Sequence, residues 1–313
     1  MDENNLNYIL KAYLRFRKSR SSNKGFTILE ILMAILITAM VLYAMLSLVV
    51  NLLGLEKRET AKNQVQQDMG QAIDYIATEL KQAVYIYEGQ DLENLVSFPD
   101  EVHPILGFWK IEKVPYRNNP EGNQKLPDSC SGATASECYQ LKTSRNTYTL
   151  VIYSLKRDNT EIWEGPARIT RFQLRKYDPE DLANLTKTPG YVDPDSSNFA
   201  DWSPTEVINY SEAENADVLV DLVDYHPEGA VPDCGDYMLS TPTLPDNNTS
   251  FYACVKPRET ATNAGEFAEA IVYLRGNAAE RAGKRGNRNS VYLPSLQRRV
   301  QARSVFNRTP PGF

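Results

Sequence analysis

Glu30 is an acidic side chain at the start of the most apolar stretch of the sequence, KGFTILEILMAILITAMVLYAM (24–45). The 25 residues that follow it, 31–55, carry no charge. About 20 apolar residues are enough to span a bilayer core as a helix. A carboxylate inside such a helix costs roughly 2.5–3.5 kcal/mol on insertion scales, so it needs a cation or water beside it. The chemistry that this stretch allows is therefore an ion pair between the Glu30 carboxylate and a cation, at or in a membrane.

The charges around the apolar run predict its orientation. Residues 1–25 contain six Lys/Arg and two acids, a net charge of +4, whereas residues 26–313 sum to −10. Because positive flanks stay on the cytoplasmic side, residues 1–25 are expected in the cytoplasm and the bulk of the chain on the other side. A conventional secretory signal has an apolar region of about 7–15 residues and a small-x-small cleavage site. The run is too long for that class, and no such site follows it closely.

The elements that must position Glu30 are a long helix and a sheet. Apolar residues recur every three or four positions after Leu55, at Val65, Met69, Ile73, Ile76, Leu80 and Val84, and no proline interrupts 26–84. This spacing predicts a transmembrane helix over 26–55 that continues as an amphipathic helix over 56–84. Strand patterns follow at 148–155, 168–177, 218–223, 251–255, 269–275 and 299–306. The expected fold class is α+β, with the helix packed on a mostly antiparallel sheet domain in residues 85–313.

Four cysteines could form disulfides or hold a metal: Cys130, Cys138, Cys234 and Cys254. They allow three pairings, and pairing of sequence neighbours, Cys130 with Cys138 and Cys234 with Cys254, is favoured because short loops close at the least entropic cost. A zinc site is the alternative, but the chain has no Cys-x-x-Cys and only two histidines. An oxidising compartment follows from the expected topology and favours disulfides, with no metal and no cofactor.

The stretch KGFTILE resembles the class III signal of type IV prepilins. The resemblance combines a basic leader, Gly25, the aromatic Phe26, Glu30 five residues after the glycine, and an uninterrupted apolar helix. It is strong over 18–55 and loose over the helix-then-sheet layout of the whole chain. It implies that a membrane aspartyl prepilin peptidase cuts between Gly25 and Phe26 on the cytoplasmic face and methylates the new Phe26 amine.

The resemblance also supplies a partner for Glu30. After cleavage the Phe26 amine is positive at neutral pH, and in a packed filament it could meet Glu30 of a neighbouring subunit and set the axial register. The alternative is that Glu30 lies at the headgroup boundary near Lys24 and stays hydrated. Under the first interpretation, loss of Glu30 impairs assembly without preventing cleavage.

The size of the globular part indicates a minor pilin or minor pseudopilin, since 229 residues follow Val84. The strand segments resemble the PilW or J-type pseudopilin group, with a weaker similarity to cyanobacterial hormogonium polysaccharide secretion pseudopilins. The expected function is a structural subunit of a type IV pilus or type II secretion-like filament that supports motility, DNA uptake or export. The expected partners are the prepilin peptidase, other major and minor pilins or pseudopilins, and an inner-membrane assembly platform. The subunit would first be a single-pass inner-membrane protein with a periplasmic domain, and then part of the filament.

Two stretches of the globular part carry opposite charge. Residues 178–236 contain fifteen Asp/Glu and only Lys187 as a base, and residues 275–308 contain nine Arg/Lys and one acid. The basic stretch could contact another subunit or bind a polyanion, DNA or polysaccharide, with Arg281, Lys284, Arg285 and Arg288 as candidates. It could equally be a solvated loop. The acidic loops contain no spaced calcium motif of EF-hand type.

Catalytic motifs are absent from the sequence. There is no Gly-x-Ser-x-Gly, His-Glu-x-x-His, phosphate loop or Gly-x-Gly-x-x-Gly. We therefore expect that this protein is not an enzyme. The rival functional classes are a pilus-borne adhesin and an anchored periplasmic hydrolase that uses two carboxylates.

Replacing Gly25 with alanine is expected to block removal of the leader, because the resemblance places this glycine directly before the cut. On an immunoblot of membranes, Gly25→Ala is expected to migrate as the longer precursor, beside mature unsubstituted protein. A variant with the mobility of the mature protein would contradict the assignment of the cut.

Overall fold

In the computed structural model, residues 25–302 are described except for short gaps at 90–91, 159–161, 195–198, 212–214, 227–229, 231, 242–243, 258–268, 285 and 287–288. Contacts divide the chain into two compact units, of which one ends at Glu56 and the other begins at Lys57.

The first helix, α1, runs from Ile28 to Leu80. Thr27 caps its N-terminus, because the Thr27 side-chain oxygen accepts a hydrogen bond from the Glu30 N–H at 3.2 Å. In the first unit, α1 is exposed along its whole length. In the second unit one face is buried, and it carries Ala61, Val65, Met69, Ala72, Ile73, Ile76, Ala77, Glu79 and Leu80.

In the described part of the second unit, nine strands and one further α-helix follow α1. The helix α2 is Ala135–Ser144. The strands are β1 (Ala83–Ile86), β2 (Val102–Lys113), β3 (Asn146–Lys156), β4 (Ala167–Arg175), β5 (Ala216–Val223), β6 (Met238–Leu239), β7 (Phe251–Val255), β8 (Glu269–Arg275) and β9 (Ser295–Gln301). They form a five-stranded sheet in the order β1-β2-β3-β4-β5 and a four-stranded sheet in the order β6-β7-β8-β9. Neighbouring strands in both sheets are antiparallel.

The main core joins the buried face of α1 to both sheets. Val65, Met69 and Ile76 are fully buried in one cluster with side chains of the first sheet, such as Val151, and of the second, such as Val272. Burying an aliphatic side chain of this size contributes about 1.5–3 kcal/mol, so this face holds the second unit together.

The other face of the five-stranded sheet carries an aromatic core. Trp109 is fully buried, and its indole N–H donates to the Tyr87 hydroxyl at 3.1 Å. The long connection between β4 and β5 covers this face with Tyr191, Phe199, Trp202, Ile208 and Tyr210. The sheet is therefore buried on both sides, which explains why β3 is buried at every position from Thr147 to Lys156.

The α+β prediction is confirmed, including a helix packed on antiparallel sheets. The strand patterns at 148–155, 168–177, 218–223, 251–255 and 269–275 all fall on observed strands. The last pattern, 299–306, overlaps a strand that starts earlier, at Ser295, and ends at Gln301. Residues 303–306 of that expectation lie outside the described residues.

The amphipathic helix ends four residues earlier than its spacing predicts. Residues up to Val84 continue the pattern, but α1 stops at Leu80 and residues 83–86 pair with β2 instead. The strand β2 was not predicted from the sequence, and it contains Pro104 and Gly107. Pro104 sits where the register shifts, and a Cβ on Gly107 would come within 2.8 Å of Leu92 Cδ2. Both residues usually interrupt strands, and here local packing accommodates them.

Gly276 and Gly70 are a matched pair for testing this core. A Cβ on Gly276 would lie 2.1 Å from Met69 Sδ and 2.7 Å from Val65 Cγ1, and both neighbours are fully buried. Gly276→Ala should therefore cost about 1–3 kcal/mol through overpacking. A Cβ on Gly70 would meet nothing within 4 Å. Gly70→Ala should be neutral or stabilise by up to about 1 kcal/mol, because alanine favours helix.

Thermal unfolding of the detergent-solubilised full chain, followed by tryptophan fluorescence, measures both changes. All three tryptophans, at 109, 163 and 202, lie in the second unit. A Gly276→Ala variant as stable as the Gly70→Ala variant would show that α1 does not pack here as described.

Candidate functional site

The structure places the three residues of the prepilin-like signal at the start of α1. Gly25 and Phe26 precede the helix, and Glu30 lies in its first turn. Phe26 is 77% exposed. Phe26 and Glu30 line the same shallow depression of about 510 Å³, together with Ile31, Ala34, Ile35, Thr38, Ala39 and Leu42. The acid and the residue expected to carry the new amine therefore share one face of the helix end.

The apolar part of α1 has no cover within the described chain. Helix Ile28–Leu80 is long and apolar enough to cross a membrane, and none of its most apolar 18-residue window is buried. Exposed apolar patches of this size mark membrane or protein contacts. This surface is compatible with a single-pass anchor.

Among the five described bases of the basic stretch, four pair with acids of the same chain. Arg281 contacts Asp68 of α1 at 3.1 Å and Glu164 at 3.7 Å. Other members of the stretch also pair with acids of the same chain: Arg275 with Asp224, Arg298 with Asp74 and Arg299 with Glu269. Of the other candidate contact residues, Lys284 is exposed, and Arg285 and Arg288 lie outside the described residues. Arg281 thus holds a loop against the helix.

Acidic residues of the stretch 178–236 also form ion pairs and hydrogen bonds within the chain. Asp193 pairs with Lys176 at 2.6 Å, and Asp224 with Arg275 at 3.0 Å. The Asp221 carboxylate accepts from the backbone N–H of Glu164 at 2.8 Å. In the described part of the chain, no group of three or more metal-ligating side chains could hold an ion.

The cysteines are brought together in the pairs favoured by loop length. Cys130 and Cys138 form a disulfide with a Cα–Cα distance of 5.5 Å, and Cys234 and Cys254 one of 5.7 Å. The first ties α2 to the loop before it. The second ties the segment before β6 to β7, where Cys254 is buried.

A buried ion cluster at the end of α1 is the main polar feature that the sequence analysis missed. The Glu79 carboxylate is 6% exposed and accepts hydrogen bonds from Arg171 Nε and Nη2, both at 2.8 Å. It also accepts from Lys110 Nζ at 2.7 Å and from the Tyr153 hydroxyl at 2.5 Å. The cluster links the last turn of α1 to three adjacent strands of the five-stranded sheet, β2, β3 and β4.

The sequence contains a partial signal for this cluster. Glu79 falls three residues after Ile76 and directly before Leu80, on the side of the helix that is otherwise apolar. An acid at such a position is expected to need a buried cation. The strand positions of Arg171 and Lys110 can be read from the sequence, but their registers against the helix cannot.

The cluster shifts the pKa values of Glu79 and Tyr153 in opposite directions. Burial alone would raise the pKa of the Glu79 carboxyl, but hydrogen bonds and charges from Arg171 and Lys110 outweigh it and lower that pKa to about 2. Burial and the nearby Glu79 charge raise the pKa of Tyr153 well above its ordinary value. The carboxylate therefore stays ionised, and the tyrosine stays a donor, over the whole physiological range.

Comparison with known proteins gives no match: no family model, no curated protein and no solved structure matches the chain. The arrangement itself, a long apolar N-terminal helix on an antiparallel sheet domain, is compatible with a pilin-like fold.

The Glu79 cluster predicts loss of stability in acid. Its carboxyl has a pKa of about 2 when folded against an ordinary 4.5, so its contribution is complete above about pH 4.5. As the pH falls from there towards 2, the unfolded chain binds the proton first, and about 3 kcal/mol is lost from the free energy of unfolding. Glu79→Gln should lower stability at neutral pH and remove this part of the pH dependence.

Urea unfolding at a series of pH values, followed by tryptophan fluorescence, measures the effect. Glu56→Gln on the exposed part of α1 is the matched control and should follow the unsubstituted protein. A Glu79→Gln variant that loses as much stability below pH 4.5 as the unsubstituted protein would show that protonation of Glu79 does not cause the loss of stability in acid.

Proposed function

We propose that this protein is a minor pilin or pseudopilin, a structural subunit of a type IV pilus or type II secretion-like filament. Its leader, residues 1–25, is removed after Gly25, and the Phe26 amine is methylated. The mature subunit is held in the inner membrane by α1 with its sheet domain in the periplasm, and then joins the filament through α1. In that position it supports assembly for motility, DNA uptake or export.

One observation carries the proposal: Glu30 is exposed in the first turn of an uncovered helix, beside Phe26, and 25 uncharged residues follow it. A carboxylate at this position makes membrane insertion less favourable for a helix that only anchors the protein, because hydrocarbon does not solvate the charge. It becomes useful when a second helix brings a cation to the same depth. The amine released at Phe26 of a neighbouring subunit is such a cation, and the same cut creates it in every subunit.

The second unit supports a structural role. Its main core and its Glu79 cluster both fasten α1 to the sheets. Two disulfides add cross-links of the kind that persists in an oxidising compartment. These contacts fix the part of α1 after Lys57 to both sheets, as a structural role requires.

The test removes the acid and keeps the anchor. Glu30→Ala should leave cleavage intact, because the cut site is unchanged, and should reduce the amount of the subunit in purified filaments by about tenfold or more, the equivalent of ~1.4 kcal/mol. Glu56→Ala removes an exposed acid from the same helix beyond the uncharged run, and it should be incorporated normally.

Filament fractions and membrane fractions are compared by quantitative immunoblotting. Equal incorporation of the Glu30→Ala and Glu56→Ala variants would contradict the register role of Glu30. Absence of the unsubstituted subunit from all filament fractions, with normal amounts in the membrane, would contradict the proposed function as a whole.

A further inference from the structure

A groove runs between α1 and the edge of the five-stranded sheet, within the second unit. It has a volume of about 400 Å³ and is lined by Asp68, Gln71, Ala72, Tyr75, Leu219, Val220, Asp221, Leu222 and Arg281. Four of its lining residues are aliphatic, Ala72, Leu219, Val220 and Leu222, and Tyr75 is 46% exposed. We call it the edge groove. Ala72, Val220 and Leu222 of its lining also belong to the main core, and the Arg171 guanidinium of the Glu79 cluster lies 5.8 Å from the centre of the Tyr75 ring.

The strand that forms one wall of the edge groove has an unpaired side. β5 is the last strand of its sheet. Among the described residues, no backbone hydrogen bond reaches its outer edge between Asp217 and Asp221, and the edge is next used by the Leu222 carbonyl, which accepts from the Asn277 N–H at 2.7 Å. A row of free N–H and C=O groups is a template for one more strand.

The shape of β5 turns apolar side chains into the groove. Its register against β4 shifts twice, so β5 contains two bulges. Four consecutive residues of β5, from Leu219 to Leu222, line the edge groove, and Leu219 is the half-buried apolar residue among them. Leu222 has a φ of 60°, in the left-handed region that bulky residues avoid. Bulges that redirect side chains are typical of functional edges.

The neighbouring loop holds this shape in place. A Cβ on Gly165 would come within 2.4 Å of the Leu222 Cα, so only glycine allows the loop to lie against the strand. The Asp221 carboxylate accepts from the N–H groups of Glu164 and Gly165 at 2.8 and 3.1 Å. The second bulge is therefore built into the fold.

The charge around the edge groove selects its occupant. Asp68 and Asp221 line the groove, and Glu164 pairs with Arg281, which also lines it. Burial raises the pKa of Tyr75, and Asp217 is close enough for its charge to raise the pKa of that tyrosine further. Four carboxylates thus lie around the groove with two guanidiniums: Arg281, which pairs with Asp68 and Glu164, and Arg171, which lies over the Tyr75 ring and pairs with Glu79. Two copies of this edge would repel each other, since like charges across an interface are unfavourable. A basic segment would be attracted to the excess of carboxylates.

We propose that the edge groove docks an extended segment of a neighbouring subunit in which Lys or Arg alternates with apolar residues. The alternation follows from strand geometry, since every second side chain faces the aliphatic lining of the groove and the others meet the carboxylates. That the partner is a filament subunit rests on the proposed function. The groove then adds a contact between sheet domains to the contact between helices.

The first experiment is site-specific photocrosslinking of the full chain in its own membranes. The photoreactive p-benzoyl-phenylalanine replaces Gln71, which is exposed and lines the groove, or Gln66, which is exposed on the same helix outside it. Position 71 should crosslink to a basic, alternating segment of another subunit, identified by mass spectrometry, and position 66 should not. Adding Asp217→Lys should reduce the position-71 crosslink by about tenfold or more.

The second experiment uses purified full chain in detergent and a synthetic eight-residue peptide of alternating Lys and Val. Binding should weaken with salt, weaken by about tenfold with Asp217→Lys, and be lost when Glu replaces Lys in the peptide. Equal binding of both peptides would overturn the proposal, as would crosslinks of equal strength from positions 71 and 66.

The outcomes separate this proposal from the proposed function. If the chain enters filaments but position 71 crosslinks to nothing, or to an acidic segment, the docking proposal is wrong and the filament role stands. If the chain is absent from filaments but position 71 and the peptide behave as expected, the groove docks a basic segment and the filament role is wrong.

Discussion

One helix, α1, has to be stable in two different environments, and the rest of the structure follows from that constraint. The part of α1 before Lys57 is apolar on all sides and has no cover within the described chain, whereas the part after it is apolar on one face that is buried against two sheets. A helix that is hydrophobic all round needs lipid or other helices, and an amphipathic one needs a domain. The charges mark the change, since residues 31–55 have none and Glu56, Lys57, Arg58 and Glu59 come directly after.

Polar groups determine how the domain end of α1 is fixed. Apolar burial supplies most of the free energy, but it is non-directional and would tolerate rotation or sliding of the helix on the sheets. The Glu79 carboxylate accepts from Arg171, Lys110 and Tyr153 at once, and only one position of the helix end satisfies all three. Ion pairs from Asp68 and Asp74 to Arg281 and Arg298 add contacts nearer the solvent, where each is worth little alone. The buried acid thus gives specificity to contacts whose strength comes from packing.

Local pattern made much of this predictable. The charge-free run, the periodic face of α1 and five strand segments follow from composition and spacing, and so do the two neighbouring disulfides. The errors came from tertiary pairing. Val84 continues a helical spacing but is drawn into a strand beside β2, and β2 itself contains a proline and a glycine that local rules treat as breaks. The role of Arg281 was also hidden, because a charged loop looks the same in sequence whether its partner is Asp68 of the same chain or another molecule.

The central claim is that a new positive amine at Phe26 accompanies Glu30 into the membrane, and intact-mass and N-terminal peptide mass spectrometry of the protein from its native membranes tests it most directly. The account predicts a chain that begins at N-methylated Phe26, with residues 1–25 removed and both disulfides oxidised. A protein that still carries Met1, or one that begins at any residue other than Phe26, would contradict it.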